Sequence, residues 1–319
     1  MITKKTVLVL GAGASKPYSF PTGTELIFHI ANDFSSPNAV RVEKIMPHEY
    51  RHFVDELRKA QPYSIDEFLE NHPSLANIGK KAIAMHLLPS EYASQAQMED
   101  ISKKDHWYRY LKAAMNAPFS LWGQNQLRII TFNYDRSLEY YLFRAVKGSY
   151  EGVDDAEYAK TLNQISILHV YGRLGSLDWQ SQGSVVRYGN EPDYSAEEIE
   201  DASRGIKVLH DGTDDGVLSN FIQAQEWLEW ADRVLFLGFG FHEDNAKRLN
   251  LAKVLRPTQT ISGTSYGLDN TRRSQVEYCT EWAERPERLH SSIPGRCTIR
   301  FPDNNAKCYD FLYNYEDLS

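Results

Sequence analysis

The chain has 319 residues, of which 42% are hydrophobic and 24% are charged, and its formal net charge is −8. These values are typical of a soluble globular protein with one large or two modest domains, and the charge argues against a nucleic-acid footprint over the whole surface. No apolar run approaches a membrane span and no signal peptide precedes the first strand, so we expect a cytoplasmic protein. The three cysteines, Cys279, Cys297 and Cys308, form no C-x-x-C pair, which argues against a zinc knuckle and a disulfide framework.

The first predicted element is a buried strand at Thr6–Leu10, where the sequence "TVLVL" is β-branched and apolar. The loop "GAGASKPYSFPTG" follows, and Thr22 or Thr24 is the expected N-cap of the next helix. Residues 35–125 have a polar and helical texture without a predicted strand. We therefore predict a single domain over residues 1–319 with a helical insertion at residues 35–125. Within it, Ser64 is the expected N-cap of the helix "SIDEFLENH".

From residue 127 onwards, strand-like and helix-like segments alternate. The predicted strands are "LRIIT", "QISILHVYG", "RVLFLGFGF", "QTISGTS" and "RCTIRF". Such alternation favours a parallel sheet with helices on both faces. The predicted fold class is therefore α/β, a Rossmann-like doubly wound parallel sheet with a helical insertion. Residues 181–215 are rich in loop-forming and acidic residues, and we interpret them as a mobile cover.

Ligands of an open parallel sheet bind beyond the carboxyl ends of its strands. Groups that suit a ligand site follow five of the predicted strands, and they include glycines, amides, hydroxyls, an imidazole and carboxylates. These clusters are residues 11–15, 133–135, 169–175, 238–242 and 263–265. Their convergence on one edge of the sheet predicts a binding site there more strongly than any single motif.

The cluster at residues 11–15 has two interpretations. Glycines permit a close backbone approach, and the helix that follows offers N–H groups to a phosphate, but the same residues also suit a plain strand-to-helix turn. Lys16 stands where the dinucleotide fingerprint has its third glycine, and no acid ends a second strand some twenty residues on. A dehydrogenase is therefore disfavoured.

Two other clusters offer polar side chains. Asn133 is suited to binding ribose hydroxyls or orienting a water molecule without carrying charge, whereas Asp135 either joins it or caps the next helix. His242 has no second histidine or cysteine at ligand spacing, so we predict no metal site.

In order along the chain, "VLGAGAS…FPTG", "TFNYD", the histidine and glycine segment, "LGFGF" and "GTS" resemble sirtuin-like proteins. They look most like the bacterial sirtuin-like NAD+ hydrolases of anti-phage defence. The resemblance covers roughly residues 6–21 and 127–265, and "SIDEFL" is the one similar stretch in the helical insertion. It implies cleavage of the nicotinamide–ribose bond of NAD+, which depletes NAD+ in an abortive infection response.

The resemblance also implies a role for individual residues. Asn133 corresponds to the asparagine beside the nicotinamide ribose, and Asp135 to its neighbouring acid. The phosphates and the adenosine are expected at Gly11, Gly13, Ala14, Ser15, Gly238, Gly240, Thr264 and Ser265, and further contacts with NAD+ are expected at Ala12, Thr22, Gly172, Phe241 and Asn245.

Two features depart from the family. The chain lacks the zinc module with two cysteine pairs, which argues against a histone-type deacylase. Where the family has its catalytic histidine before a glycine, this chain has Tyr171 before Gly172, and His169 lies two residues earlier. Residues i and i+2 of a strand face the same side, so we expect both side chains in the pocket. An imidazole is the better base near neutral pH, so we predict His169 as the base and Tyr171 as a pocket wall, with a buried structural role for His169 as the alternative.

Three functions remain open at this point. The first is an NAD+ glycohydrolase, the second is a non-catalytic sensor that binds NAD+ or ADP-ribose, and the third is ADP-ribosyl transfer to a macromolecule. Because uncontrolled NAD+ hydrolysis kills the host, we expect control by homo-oligomerisation or by a separate protein, such as a helicase-like ATPase or an Argonaute-like protein. We expect no direct nucleic-acid binding.

Overall fold

The computed structural model describes residues 1–33, 40, 47–180, 185–210, 213–214, 216–277, 297–303 and 305–318. Its strands are β1 (Thr6–Leu10), β2 (Leu127–Thr131), β3 (Ser166–His169), β4 (Leu209–His210), β5 (Thr213–Asp214), β6 (Arg233–Leu237) and β7 (Thr260–Gly263). Five of them form one all-parallel sheet in the order β3-β2-β1-β6-β7, and β4 pairs with β5 in an antiparallel hairpin.

The order of the sheet defines where a ligand can bind. β1 pairs with β2 on one side and with β6 on the other, so the direction of strand addition reverses between β1 and β6. All five residues of β1 and of β6 are buried, as expected for central strands with helices on both faces. The α/β Rossmann-like fold class predicted from the sequence is confirmed. The crevice at this reversal is the ordinary ligand site of such sheets.

The helices of the first half are α1 (Ala12–Ser15), α2 (Gly23–Asn32), α3 (Pro47–Ala60), α4 (Ile65–Asn71), α5 (Ala76–Glu99) and α6 (Trp107–Ala114). No strand occurs in the described part of residues 35–125, as predicted. Thr22 caps α2 in a complete capping box with Glu25, and the Ser64 side chain accepts the Glu67 N–H at the start of α4. Both caps agree with the sequence. α5 continues through Pro89, although a proline usually ends a helix.

The remaining helices are α7 (Ser137–Lys147), α8 (Asp155–Leu162), α9 (Ala196–Arg204), α10 (Val217–Trp230), α11 (Glu243–Arg248), α12 (Leu251–Val254), α13 (Asn270–Glu277) and α14 (Cys308–Tyr315). The segment "NAKRLNLAKVL", which the sequence predicts as one helix, is divided between two, because Asn250 adopts a left-handed φ of 53° and separates α11 from α12. Within the described ranges, no helix combines the length and the apolar character needed to cross a bilayer.

Three other predictions in the second half need correction or lie outside the described residues. Residues 181–215 are not all loop, because Ser195 starts α9 with a capping box to Glu198. The predicted last strand is reduced to a parallel bridge between Arg300 and Ser262. Cys279 and the end of the helix predicted around it lie outside the described residues.

Candidate functional site

A cavity of about 1000 Å³ opens at the carboxyl ends of the strands, where the direction of strand addition reverses. Residues from four of the five predicted clusters line it, so the sequence located this edge correctly. The lining includes Gly11, Ala12, Gly13, Ser15, Thr22, Asn133, Asp135, Gly238, Gly240, Phe241, Asn245 and Thr264. Aromatic rings of Phe20, Phe132 and Phe239 give it an apolar wall.

The loops after β1 and β6 pack backbone against backbone at the base of the cavity. A Cβ on Gly11 would lie 2.4 Å from the carbonyl oxygen of Gly238, and a Cβ on Gly238 would lie 2.1 Å from the Ala14 nitrogen. Gly238 also has a positive φ of 57°, which glycine adopts without strain. These glycines are therefore required by the contact between the two loops. Gly240 is different, since a Cβ there would meet only the His242 side chain.

The side chain of Asn133 is held in place by the NH2 group of its amide. Its Nδ2 donates to the Gly11 carbonyl and to Ser15 Oγ, each at 3.0 Å. The amide orientation follows from this contact, because a carbonyl oxygen can only accept a hydrogen bond. Asn133 is 9% exposed, and its Oδ1 accepts no hydrogen bond from the described residues. A buried polar atom without a partner is costly, so Oδ1 is the atom of this amide that is left to accept a hydrogen bond.

Asp135 lines the cavity, but hydrogen bonds hold both of its carboxylate oxygens. Oδ2 accepts the Ser15 hydroxyl at 2.7 Å, and Oδ1 accepts the backbone N–H and the hydroxyl of Ser137. Burial raises the pKa of Asp135 above its ordinary value, although the bonds from Ser137 and Ser15 oppose the rise. Since Ser15 also accepts from Asn133, Asp135 orients the asparagine indirectly. The capping interpretation of Asp135 holds in part, because the N-cap residue of α7 is Arg136 but Asp135 Oδ1 accepts the N–H of Ser137, the first residue of the helix.

The prediction that His169 points into the pocket is wrong for this structure. His169 does not line the main cavity, and instead borders a second one of about 10 Å³ that shares Ser15, Asn133 and Asp135 with the first. Its Nδ1 donates to the Asn133 carbonyl at 2.9 Å, and its Nε2 donates to Glu139 at 2.7 Å. An imidazole that donates from both nitrogens has no lone pair free to accept a proton.

His169 and Glu139 form a buried hydrogen-bonded pair, which is an ion pair when the imidazole is protonated, and both side chains are at most 5% exposed. Burial raises the pKa of Glu139, but the charge and the hydrogen bond of His169 outweigh that effect, and the pKa lies below its ordinary value. This arrangement matches the structural role that the sequence left as the alternative for His169.

Tyr171 does not line the cavity either, so the second half of that prediction is also wrong. Its hydroxyl donates to Asn245 Oδ1 at 2.9 Å and accepts from Arg248 at 2.6 Å. Arg248 in turn forms a bidentate ion pair with Glu70 at 2.7 and 2.5 Å. Burial raises the pKa of Tyr171 above its ordinary value, so the hydroxyl stays protonated. The nearest that Tyr171 comes to the cavity is through Asn245.

Three further predicted residues lie outside the cavity lining. Gly172 has a φ of 73°, and a Cβ on it would lie 2.1 Å from the Gly205 carbonyl, so it serves the contact with the chain after α9. Ala14 is fully buried and its carbonyl accepts the Trp107 indole N–H at 2.8 Å. Ser265 donates to the Asp303 carbonyl at 3.2 Å. By contrast, Thr264 belongs to the lining and accepts the Gly238 N–H at 2.8 Å.

Sequence reasoning missed Asp66 and Tyr134 as site residues. Both line the cavity, and the Tyr134 hydroxyl donates to Asp66 Oδ1. Burial raises the pKa of Asp66 to about 6. The available signals were the "SIDEFL" stretch and the Ser64 cap, which puts Asp66 in the first turn of a helix. Neither signal shows that this helix reaches the sheet edge.

The mouth of the cavity carries charges of both signs. Lys16 pairs with Glu25 at 2.5 Å, and this hydrogen bond lowers the pKa of Glu25 to about 2. Burial and the charge of Arg272 lower the pKa of His242, which also lines the cavity. Within the described ranges, no group of three or more His, Cys, Asp or Glu side chains is arranged to hold a metal ion.

In comparisons with known proteins, no family model and no curated protein matches this chain.

Proposed function

We propose that the chain binds NAD+ in the cavity and hydrolyses the nicotinamide–ribose bond. The observation that carries this proposal is the buried Asn133 Oδ1, which has no hydrogen-bond partner among the described residues although Nδ2 of the same amide has two. Its position at the reversal of a Rossmann-like sheet, where nucleotides ordinarily bind, supports it. The motif resemblance to sirtuin-like NAD+ hydrolases supplies the identity of the ligand.

The chemistry of this bond suits a neutral acceptor such as Asn133. Cleavage develops positive charge on the ribose, as in glycoside hydrolysis, while the pyridinium ring leaves as a neutral molecule. A strong acid is therefore unnecessary, and a fixed dipole that faces the ribose or holds a water molecule contributes most. In this proposal the nicotinamide ribose lies beside Asn133, and the diphosphate lies beside Gly11 and the start of α1.

A sensor that binds NAD+ or ADP-ribose without turnover is the second candidate. It is favoured by the state of the two residues expected to act as base and wall, because His169 is held by Asn133 and Glu139, and Tyr171 by Asn245 and Arg248. Neither side chain is available to a ligand in this arrangement.

One experiment separates the two candidates. The full chain is incubated with NAD+ over a range of protein concentrations, nicotinamide and ADP-ribose are quantified by chromatography, and NAD+ binding is measured by calorimetry. If the chain hydrolyses NAD+, the wild type releases nicotinamide and ADP-ribose, and the Asn133→Ala variant loses this activity. Binding without release supports the sensor, whereas the absence of binding contradicts both candidates. If the NAD+ is labelled in its ADP-ribose part, label that stays on a macromolecule identifies ADP-ribosyl transfer.

We further propose that hydrolysis is controlled, because free consumption of NAD+ is lethal, and that the control acts in anti-phage defence. Self-assembly or a separate helicase-like ATPase or Argonaute-like protein is the proposed route. Size-exclusion chromatography with light scattering, run beside the activity assay, tests this control. A fully active monomer without any partner contradicts it.

A further inference from the structure

Asp66 and Tyr134 join the helical segment to the wall that carries Asn133. Asp66 is the second residue of α4, whose first turn is fixed by the Ser64 cap. Tyr134 directly follows Asn133 and is 6% exposed, and its hydroxyl donates to Asp66 Oδ1. All three side chains line the same cavity. Asn133 and Tyr134 are consecutive residues of one loop. Asn133 supplies an amide oxygen, and the Tyr134 hydroxyl holds the Asp66 carboxylate at the same cavity.

Other residues near Asn133 are poorly suited to accept a proton. Both nitrogens of His169 donate hydrogen bonds, and both oxygens of Asp135 accept them from Ser15 or Ser137. The Tyr171 hydroxyl lies between Asn245 and Arg248. In the described part of the chain, the Tyr134 hydroxyl donates to Asp66 Oδ1, and the backbone N–H of Asp66 itself supplies a further hydrogen bond to the carboxylate.

The surroundings of Asp66 set its strength as a base. Desolvation by burial is the main influence and raises its pKa to about 6. Glu70 on the same helix raises the pKa further, whereas Tyr134 after β2 and Arg248 on α11 lower it. Tyr171 after β3 faces the same group. The carboxylate is therefore ionised at neutral pH and is stronger than an exposed aspartate, which is the condition that favours a general base.

We propose that Asp66 is the general base of the hydrolysis, an inference that rests on the proposed function. The water oxygen forms a bond to the anomeric carbon of the ribose as the bond to nicotinamide breaks. The electron pair of that bond stays on the ring nitrogen, and nicotinamide leaves neutral. The water proton passes to the Asp66 carboxylate and then to solvent, while Tyr134 is a positioning residue that holds the carboxylate.

The test is the pH profile of kcat/KM for nicotinamide release, measured between about pH 5 and 9 for four proteins. The wild type is expected to lose activity below a midpoint near 6. The rate of Asp66→Asn is expected to be roughly 10²–10⁴-fold lower than that of the wild type. The variant is also expected to lack the fall in activity at low pH, which is the acid limb of the profile. Tyr134→Phe removes a bond that lowers the pKa of Asp66, so its acid limb moves to higher pH. Glu67→Gln, on the same helix but outside the cavity lining, is the matched control and keeps the wild-type profile.

Thermal unfolding separates a chemical role from a folding defect. Because ionised Asp66 is buried at a cost, Asp66→Asn is expected to melt at a higher temperature than the wild type at pH 7, while it still binds ADP-ribose. An Asp66→Asn protein that keeps the wild-type rate and acid limb overturns the inference, as does a limb that disappears in His242→Gln instead. Absence of nicotinamide release from the wild type contradicts the proposed function itself, which is a different result.

Discussion

The chain segments after β2 and β3 lie side by side at the same edge of the sheet, yet they differ in what they leave free. After β2, Asn133 is held by its nitrogen and keeps an unpartnered oxygen in the cavity wall. After β3, His169, Tyr171 and Gly172 are all committed to other parts of the protein. A position at a strand end is therefore not sufficient for a role in the proposed site, because remote partners can already satisfy the side chain found there.

The largest expected effect is on stability, from His169→Ala. The change leaves Glu139 buried with only Arg173 nearby, at 3.7 Å, and removes the donor to the Asn133 carbonyl. Breaking a buried pair in this way costs about 3–5 kcal/mol of the free energy of unfolding. Urea denaturation measures the loss. A cost below about 1 kcal/mol contradicts the structural role of His169.

Asn133→Ala is expected to reduce the activity much more than the stability. Nicotinamide release falls by on the order of 10²–10³-fold, as for the loss of one preorganised dipole at a reacting centre. Stability falls by only about 1–2 kcal/mol, because the two bonds lost are those to Gly11 and Ser15. Steady-state kinetics and urea denaturation on the same preparation give both numbers. Full activity in this variant refutes the assignment of Asn133.

A pair of glycine variants tests whether the cavity base is set by packing. Gly11→Ala places a Cβ 2.4 Å from the Gly238 carbonyl oxygen and is expected to cost about 1–3 kcal/mol of stability. Gly240→Ala, whose Cβ meets only the His242 side chain, is the matched control with a cost below about 0.5 kcal/mol. Thermal unfolding compares them. Equal melting temperatures for the two variants contradict the packing argument.

Acid sensitivity tests the ion pair beneath the site. Since the pKa of Glu139 in the folded protein lies below its ordinary value, the unfolded chain binds its proton first. The stabilisation is therefore complete above the unfolded pKa and disappears as the pH falls through the folded pKa, with a slope of at most about 1.4 kcal/mol per pH unit. Urea midpoints of the wild type and Glu139→Gln between about pH 3 and 6 measure this slope. An unchanged slope in the variant contradicts the role of Glu139.

The smallest effect is expected from Tyr171→Phe. The variant loses the hydroxyl between Asn245 and Arg248, at a cost of about 1 kcal/mol of stability, while the Arg248–Glu70 pair remains. Nicotinamide release is expected to change less than about tenfold, because Tyr171 reaches the cavity only through Asn245. A rate loss as large as that of Asn133→Ala would show that Tyr171 takes part in the reaction.

Local patterns explain which predictions succeeded. Alternation of buried strands and helices fixed the α/β class, and the caps at Thr22 and Ser64 follow from side-chain hydrogen bonds over three residues. The convergence of glycine, amide and hydroxyl groups on one edge follows from the common direction of parallel strands. The prediction for His169 failed because a distant partner, Glu139, holds its side chain.

By itself, the sequence determined the sheet class and the strand ends that meet at the cavity, because each depends on residues close together in the chain. Only the tertiary structure decided that His169 is tied to Glu139, 30 residues away, and that Asp66 meets Tyr134 across 68 residues. A side chain that occurs in a site motif can bind a ligand only if its polar groups are not already hydrogen-bonded to a residue from a distant part of the chain. Hydrogen bonding and burial between remote segments therefore separated the residues that face the cavity from those that support it.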